Sequence, residues 1–300
     1  MSVSETVEKI HTALSGKKKE EVILDVIMSN NYNKRIEISQ NYKQQYEISL
    51  FEDINSKIGG DFGKCAAQTF LSPLEFCIYH LKIGIEKSNA CAMEQLTSKS
   101  IEELKIIEEA YKTETQKDLK SEIEKKFSGA VGKNILNLFD TPRVTNHKPN
   151  KQECEKYAKI LVEAEPKNWT EDENIFKEIF IQRSPEELIM IARYYLKLTG
   201  NNLIDIIESK TKGLNQTLLK EILYNNILPH ELFADKIYNA IKGLGTDEEV
   251  LSRALVARCE LDMSSMRDIY YEKYKVTMKE DIIGDTSENY QKLCIYLSEK

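Results

Sequence analysis

The chain has 300 residues, enough for one to three domains with a sizeable core. Its 12 glycines and 6 prolines are few beside the many Lys, Glu, Ile and Leu residues, which favours an all-α fold. The formal net charge of −7 argues against a dedicated nucleic-acid-binding protein, because such proteins usually carry a basic face.

Several other classes are also excluded. No stretch of about 18 apolar residues occurs, so no segment is expected to span a membrane, and the N-terminus lacks the apolar run of a signal peptide. The histidines have no metal-ligand spacing and no catalytic motif is present, so we predict that the protein is not an enzyme. The six cysteines form no CxxC pair and are predicted to be buried hydrophobic residues in a reducing compartment.

In chain order, the first predicted helix runs from Val7 to Leu14 and is followed by a lysine-rich loop and a second apolar helix. An acidic and apolar run, FEDINS, then ends at Lys57. Similar runs end at Lys126, Lys210 and Asp285, at intervals of 69, 84 and 75 residues (126 − 57, 210 − 126, 285 − 210). This recurrence indicates four internal repeats.

The long interval contains a polar stretch with prolines, which predicts a linker between two halves of the chain. We therefore expect repeats at 1–72, 73–143, 151–228 and 229–300, with the linker at 144–150. Tyrosines recur at helical spacing in all four repeats, and we interpret them as core residues.

Residues 241–249, IKGLGTDEE, form the most informative stretch. Gly243 and Gly245 adopt positive φ at little cost, which predicts a tight turn, and Thr246 has capping-box spacing to Glu249. Such a loop can direct carbonyl oxygens toward one point, and Asp285 can add a carboxylate. Ca²⁺ prefers oxygen ligands of these kinds. The alternative is a glycine turn that holds no metal.

GxGTDE with an Asp 42 residues after the first glycine (285 − 243) resembles the calcium site of an annexin repeat. The neighbouring sequences GLGTDEEVLSRALVAR, MRDIYYEKY and EDIIGDTSENYQKL extend the resemblance over residues 230–297. The whole chain resembles a four-repeat annexin core, which implies about five helices per repeat, packed into a slightly curved disc. The resemblance implies that the carbonyls of Ile241, Gly243 and Gly245 and the Asp285 carboxylate hold Ca²⁺.

Counting back 42 residues in the other repeats predicts that their calcium sites are lost. The residues at the two glycine positions and the carboxylate position are Ser15, Lys17 and Lys57 in repeat 1, and Gly84, Glu86 and Lys126 in repeat 2. In repeat 3 the first position is Asn168 and the last is Lys210. The register there is uncertain by one residue, because Thr170 and Glu173 also have capping-box spacing. Loss of site residues in three repeats resembles divergent protist annexins, including the alpha-giardins.

The resemblance implies peripheral binding to anionic phospholipid membranes. Leu244 at the loop tip is a candidate membrane contact, with ordinary exposure as the alternative. Trp169, the only tryptophan, is either a lipid contact or a ring packed on its own repeat. Lys57, Lys126 and Lys210 are candidates for a basic surface that binds anionic lipid without calcium, with simple solvation as the alternative.

We therefore expect calcium-dependent binding to anionic membranes by a cytoplasmic protein, peripheral at the inner face of the plasma membrane or at the cytoskeleton. A cytoskeletal protein is the second expected partner. The alternative function is a helical-repeat scaffold that binds a cytoskeletal protein with little dependence on calcium or lipid; the three disabled sites favour it.

Overall fold

The computed structural model describes residues 1–142, 148–243 and 245–300, and within these ranges the chain forms helices and no strand. The predicted all-α fold is confirmed, and five helical segments occur in each repeat. Repeat 1 contains α1 (Val3–Leu14), α2 (Lys19–Ser29), α3 (Tyr32–Tyr46), α4 (Leu50–Lys57) and α5 (Gly60–Gln68). Repeat 2 contains α6 (Pro73–Glu86), α7 (Ala90–Leu96), α8 (Ile101–Thr115), α9 (Leu119–Lys126) and α10 (Gly129–Asp140).

The second half of the chain has the same order of helices. Repeat 3 contains α11 (Lys151–Glu163), a short α12 (Glu173–Ile175) continued by a π-helical segment (Phe176–Ile181), α13 (Pro185–Thr199), α14 (Leu203–Lys210) and α15 (Gly213–Ile227). A single 3₁₀ turn (Pro166–Asn168) precedes α12. Repeat 4 contains α16 (Pro229–Ile241), α17 (Glu248–Arg258), α18 (Met263–Tyr274), α19 (Met278–Asp285) and α20 (Glu288–Ser298).

The third helix ends in the same way in every repeat. The residue that follows it adopts a left-handed conformation, and its N–H donates to the carbonyl four residues earlier. The four residues are Glu47, Gln116, Gly200 and Lys275, with φ between 58° and 74°. The backbone therefore repeats even where the sequence does not, because only one of these residues is a glycine.

The predicted core tyrosines and cysteines lie mostly in the interior. One tyrosine of the third helix is buried in each repeat: Tyr42, Tyr111, Tyr195 and Tyr270. All six cysteines are buried and none forms a disulfide. Tyr271, by contrast, is exposed, because its neighbour Tyr270 takes the inward position of the helix.

The chain divides into two compact units that do not follow the halves of the sequence. Residues 1–76 and 230–300 form the first unit and residues 77–229 form the second. Of the stretch 144–150, which we predicted to link two halves, residues 148–150 lie in the second unit, and residues 144–147 lie outside the described residues.

The first unit joins the two ends of the chain through buried contacts. Helices α5, α17 and α20 pack against one another. The guanidinium of Arg35 is buried and donates to the carbonyls of Asn30 and Thr69 and to the carboxylate of Glu260, 225 residues away. A buried charge is stable only when it is paired and hydrogen-bonded, so this arrangement specifies how repeat 1 meets repeat 4.

Candidate metal centre

The loop of repeat 4 begins where α16 ends at the buried residue Ile241. It turns back so that the Asp247 N–H donates to the Ala240 carbonyl at 2.7 Å. Gly243 and Gly245 have φ of 140° and 93°, which is the left-handed region that favours glycine. The predicted tight turn is therefore present. Leu244, the proposed loop tip, lies outside the described residues.

Two side chains of the loop attach it to α19. The Lys242 ammonium lies 2.7 Å from a carboxylate oxygen of Asp281, and the Thr246 hydroxyl donates to the Asp285 carbonyl at 2.9 Å. Asp281 is buried, and its second oxygen accepts a hydrogen bond from the Tyr270 hydroxyl at 2.6 Å. The hydrogen bond to Asp281 raises the pKa of Lys242, and the charges of Asp281 and Asp285 add to this effect. The loop is thus connected to both ends of the last turn of α19.

The predicted capping box between Thr246 and Glu249 is wrong. Helix α17 begins at Glu248, and Asp247 caps it by accepting a hydrogen bond from the Val250 N–H. Thr246 does not cap the helix, since its hydroxyl is bonded to α19. A tertiary hydrogen bond has replaced the local one that the sequence favours.

Asp285, the last residue of α19, has an exposed carboxylate with no ion-pair partner among the described residues. Neither loop glycine has a heavy atom within 4 Å of where a Cβ would lie, so the loop is open around them. The available donors are backbone carbonyls and one carboxylate, which is the oxygen chemistry that Ca²⁺ prefers. The described residues contain no cluster of three acidic, histidine or cysteine ligands, so a metal here would depend on the backbone carbonyls. The residues present therefore fit a calcium ion.

Repeat 1 has a different arrangement around the corresponding carboxylate. Asp53 is buried and accepts from the Tyr42 hydroxyl at 2.5 Å, as Asp281 accepts from Tyr270. Its cation, however, is Lys57 of the same helix, at 2.9 Å. The Lys19 ammonium donates to the Lys57 carbonyl, in the role that Thr246 has in repeat 4.

The register that we predicted for the loop of repeat 1 is wrong by one residue. His11 stacks on Tyr46 and Tyr238 stacks on Tyr274, so His11 corresponds to Tyr238. Gly16, rather than Ser15, then corresponds to Gly243, because both follow the stacked ring by five residues. Gly16 lacks a left-handed φ, so the turn of repeat 4 is not formed.

In repeat 2 the interpretation of Gly84 as a loop glycine is wrong. Gly84 lies inside α6 and is buried. A Cβ on Gly84 would lie 2.2 Å from the backbone nitrogen of Ala92, so glycine is required for the close approach of α7. Glu86 and Lys126 are exposed terminal residues of α6 and α9.

In repeat 3 the loop residue Trp169 is fully buried. Its indole N–H donates to the carbonyls of Leu161 and Ala164, and its ring packs against Phe180 and Tyr195. The ring of Trp169 is thus packed on its own repeat, which is one of the two alternatives that we predicted for it. The capping box of Thr170 and Glu173, which suggested a second register for this loop, is not formed, because Asp172 caps the next helix.

Lys210 is the exposed last residue of α14 and corresponds to Asp285. The residue after each has a hydroxyl that donates four residues back: Thr211 to Ile207 and Thr286 to Ile282. Gln216 and Gln291, five residues further on, both donate to the carbonyls at these helix ends. These matching contacts support the predicted interval of 75 residues between Lys210 and Asp285.

Lys242 and Asp281 are the site residues that the sequence interpretation missed. A signal for Asp281 was present, because a tyrosine precedes it by 11 residues, as Tyr42 precedes Asp53. The pairing with Lys242 had no local signal, since 39 residues separate the two side chains.

Comparison with known proteins identifies the repeats. The family model described as Annexin matches residues 5–67, 80–138, 156–222 and 232–297. Mouse annexin A13 is 31% identical over 295 residues, covering 97% of this chain and 93% of its own length. Chicken annexin V, solved in complex with Zn²⁺, has a TM-score of 0.89 at 26% identity over 99% of this chain and 95% of its own. Calcium-bound alpha-14 giardin has a TM-score of 0.82 over the whole of both chains at 15% identity, which is a likeness of fold alone.

Proposed function

The chain belongs to the annexin family, whose members generally bind calcium and anionic phospholipid membranes without catalysing a reaction, and we propose that it binds such membranes in a calcium-dependent way through the loop of repeat 4. The observation that carries the proposal is the open glycine turn at Gly243 and Gly245, tied to α19 beside the exposed Asp285 carboxylate. The proposed ligands are the carbonyls of Ile241, Gly243 and Gly245 and the carboxylate of Asp285.

The protein's own residues have distinct roles in this proposal. The two glycines permit the turn, Thr246 holds the loop next to Asp285, and Asp285 supplies negative charge at an exposed position. A calcium ion held there supplies a double positive charge and coordination positions that a lipid phosphate can occupy. Because binding free energies are linked, lipid and calcium each tighten the binding of the other by the same factor.

The surroundings of the candidate membrane contacts differ in the support that they give to this proposal. Lys126 and Lys210 are exposed and have no ion-pair partner among the described residues, which supports a role in binding anionic lipid without calcium. Lys57 is already paired with Asp53, and Trp169 is enclosed by its own repeat, so neither supports such a role in this conformation. Leu244 remains a proposed contact.

The proposed location is cytoplasmic, at the inner face of the plasma membrane or at the cytoskeleton. No helix among the described residues is long and apolar enough to cross a bilayer. The proposed contact with the membrane is peripheral.

Sedimentation with phosphatidylserine liposomes tests the calcium site. We expect the wild type to sediment with calcium, and Asp285→Asn to lose at least about tenfold in calcium sensitivity, because removing one charged ligand costs more than about 1.4 kcal/mol. Asp268→Asn is the matched control, since Asp268 is an exposed acid of the same repeat that lies outside the loop. Equal calcium sensitivity of Asp285→Asn and the wild type would contradict the proposed site.

The chelator arm of the same assay tests the lysines. Binding that persists in chelator and fades with salt is expected to decrease in Lys126→Glu and Lys210→Glu, because salt screens exposed charges. Unchanged binding in these variants would remove the lysine contribution.

A second candidate function is a helical-repeat scaffold for a cytoskeletal protein. Three observations favour it, one in each of the other repeats. In repeat 1 the residue at the carboxylate position, Lys57, is paired with Asp53, and in repeats 2 and 3 Gly84 and Trp169 of the predicted loops are buried. The scaffold is preferred if the wild type does not sediment with liposomes at millimolar calcium.

A further inference from the structure

Asp281 is a buried carboxylate that the proposed calcium ligands do not include. In repeat 4 it binds the loop lysine, Lys242, and the core tyrosine, Tyr270. Its counterpart in repeat 1, Asp53, has the equivalent tyrosine but binds Lys57 of its own helix. The buried acid at this position therefore pairs with a lysine of the loop in repeat 4 and with a lysine of its own helix in repeat 1.

Position 285 and its counterpart in repeat 1, Lys57, account for which cation the buried acid binds in repeats 4 and 1. Lys57 lies four residues after Asp53, which is the spacing at which side chains of one helix meet. Asp285 lies four residues after Asp281 but carries the wrong charge to pair with it. Asp281 therefore pairs with Lys242 of the loop instead.

The other two repeats lack a link between this acid and the loop, for two different reasons. In repeat 2, Glu122 occupies the position of Asp281 and pairs with Lys125 of its own helix at 3.1 Å and with Lys117, just before that helix, at 3.6 Å, whereas Lys126 does not pair with it. In repeat 3 that position is Ile206, which cannot bind a cation. The link between this acid and the loop is thus found in repeat 4, the repeat that retains the acidic residue at the end of α19.

We propose that Lys242 and Asp281 are positioning residues for the calcium loop of repeat 4. A lysine at position 285 would release the loop, because it would pair with Asp281 in place of Lys242. Asp285 then has two effects: it supplies a carboxylate, and it leaves Asp281 available to Lys242. This inference rests on the proposed function for its calcium part, while the attachment of the loop is a property of the calcium-free protein.

Two roles of Lys242 predict opposite effects on calcium. If Lys242 were only a positive charge near the metal, Lys242→Met would tighten calcium binding, because a repulsive charge is removed. If Lys242 positions the loop, Lys242→Met weakens calcium binding despite the lost repulsion, because the free loop must be ordered when the metal binds. Lys242→Arg keeps the charge and the hydrogen bond and should restore binding.

Hydrogen exchange at the Asp247 amide measures the attachment directly in chelator. This N–H donates to the Ala240 carbonyl within the loop, so its exchange reports local opening. We expect Lys242→Met to accelerate its exchange about fivefold, the effect of losing one well-formed ion pair. Lys273→Met is the matched control: Lys273 is 40% exposed against 42% for Lys242, and it pairs with Asp235 away from the loop.

Substitutions at position 285 complete the test. Asp285→Lys should accelerate exchange at Asp247 as Lys242→Met does, whereas Asp285→Asn should leave it unchanged in chelator. Calcium binding is measured by calorimetry for the wild type, Lys242→Met and Lys242→Arg. Unchanged exchange in Lys242→Met, or tighter calcium binding by it, would overturn the inference. A wild type that binds no calcium would refute the proposed function, and the exchange rates would still decide whether Lys242 and Asp281 hold the loop.

Discussion

Single residues distinguish the four repeats at the position of the proposed calcium ligand. Asp285, Lys57, Lys126 and Lys210 end the fourth helix of their repeats, and the sign of their charge differs. In repeat 1 the lysine at this position also pairs with the buried Asp53, so one residue replaces the proposed carboxylate ligand and alters a second contact. Glycines have equally local effects: Gly243 and Gly245 permit a turn, whereas Gly84 permits two helices to approach.

Gly84→Ala is expected to destabilise the protein by about 2 kcal/mol. The added Cβ would lie 2.2 Å from the Ala92 nitrogen, so backbone must move, and overpacking of this kind typically costs about 1–3 kcal/mol. Chemical denaturation measures the change in free energy of unfolding. Gly284→Ala is the control, because no heavy atom lies within 4 Å of its Cβ position and alanine favours a helix. A Gly84→Ala protein as stable as Gly284→Ala would contradict the packing role.

At the scale of the helix, the ends are more regular than the loops between them. Among the described residues, five helices begin with a capping box, in which a serine or threonine and the glutamate three residues later bond each other's backbone N–H groups. In repeats 2, 3 and 4 a box precedes the third or the fourth helix, and the third helix always ends in a left-handed residue. These local signals fix helix boundaries, while loop length and the residues in the loop vary freely.

The burial of a capping box should determine its contribution to stability. Ser184 and Glu187 are both buried, so Ser184→Ala leaves an unsatisfied N–H in the interior and should cost about 1–2 kcal/mol. The box of Ser100 and Glu103 is solvent-accessible, and Ser100→Ala should cost about 0.5–1 kcal/mol. Thermal and chemical denaturation of the two variants provide the comparison. Equal losses would show that burial of the box is unimportant.

Across the whole molecule, the buried thiols and phenols have a common consequence. Burial raises the pKa of Cys77 to about 11 and that of Cys259 to about 12. Burial and the hydrogen bonds to Asp53 and Asp281 also raise the pKa values of Tyr42 and Tyr270. All four groups are neutral when protonated, so their protons are retained in the folded chain at a pH where the unfolded chain has released them.

Stability is therefore expected to fall as the pH rises above about 9. Below the pKa of the unfolded thiols, both states are protonated and the contribution of these groups is fully present. Between pH 9 and about 11 for Cys77, and between pH 9 and about 12 for Cys259, only the unfolded state loses the thiol proton. This favours unfolding by about 1.4 kcal/mol for each unit of pKa difference. Urea denaturation between pH 7 and pH 10.5 measures the decline, and Cys77→Ala should reduce its slope. A free energy of unfolding that stays constant over this range would refute the expectation.

Much of the fold was determined by the sequence alone. Helical periodicity, recurring acidic and apolar runs and the few glycines predicted four all-α repeats, because these signals depend on residues within one turn or one helix of each other. The turn at Gly243 and Gly245 was predictable for the same reason, since the conformational freedom of glycine is a property of the residue itself.

Only the tertiary structure decided the contacts between residues distant in the chain. Thr246 bonds to Asp285 instead of capping its own helix, Asp281 binds Lys242 whereas Asp53 binds Lys57, and Arg35 reaches Glu260. The burial of Trp169 and the role of Gly84 likewise depend on which helices pack against them. Local sequence patterns cannot specify these contacts, because the partner residues come within bonding distance only in the folded chain.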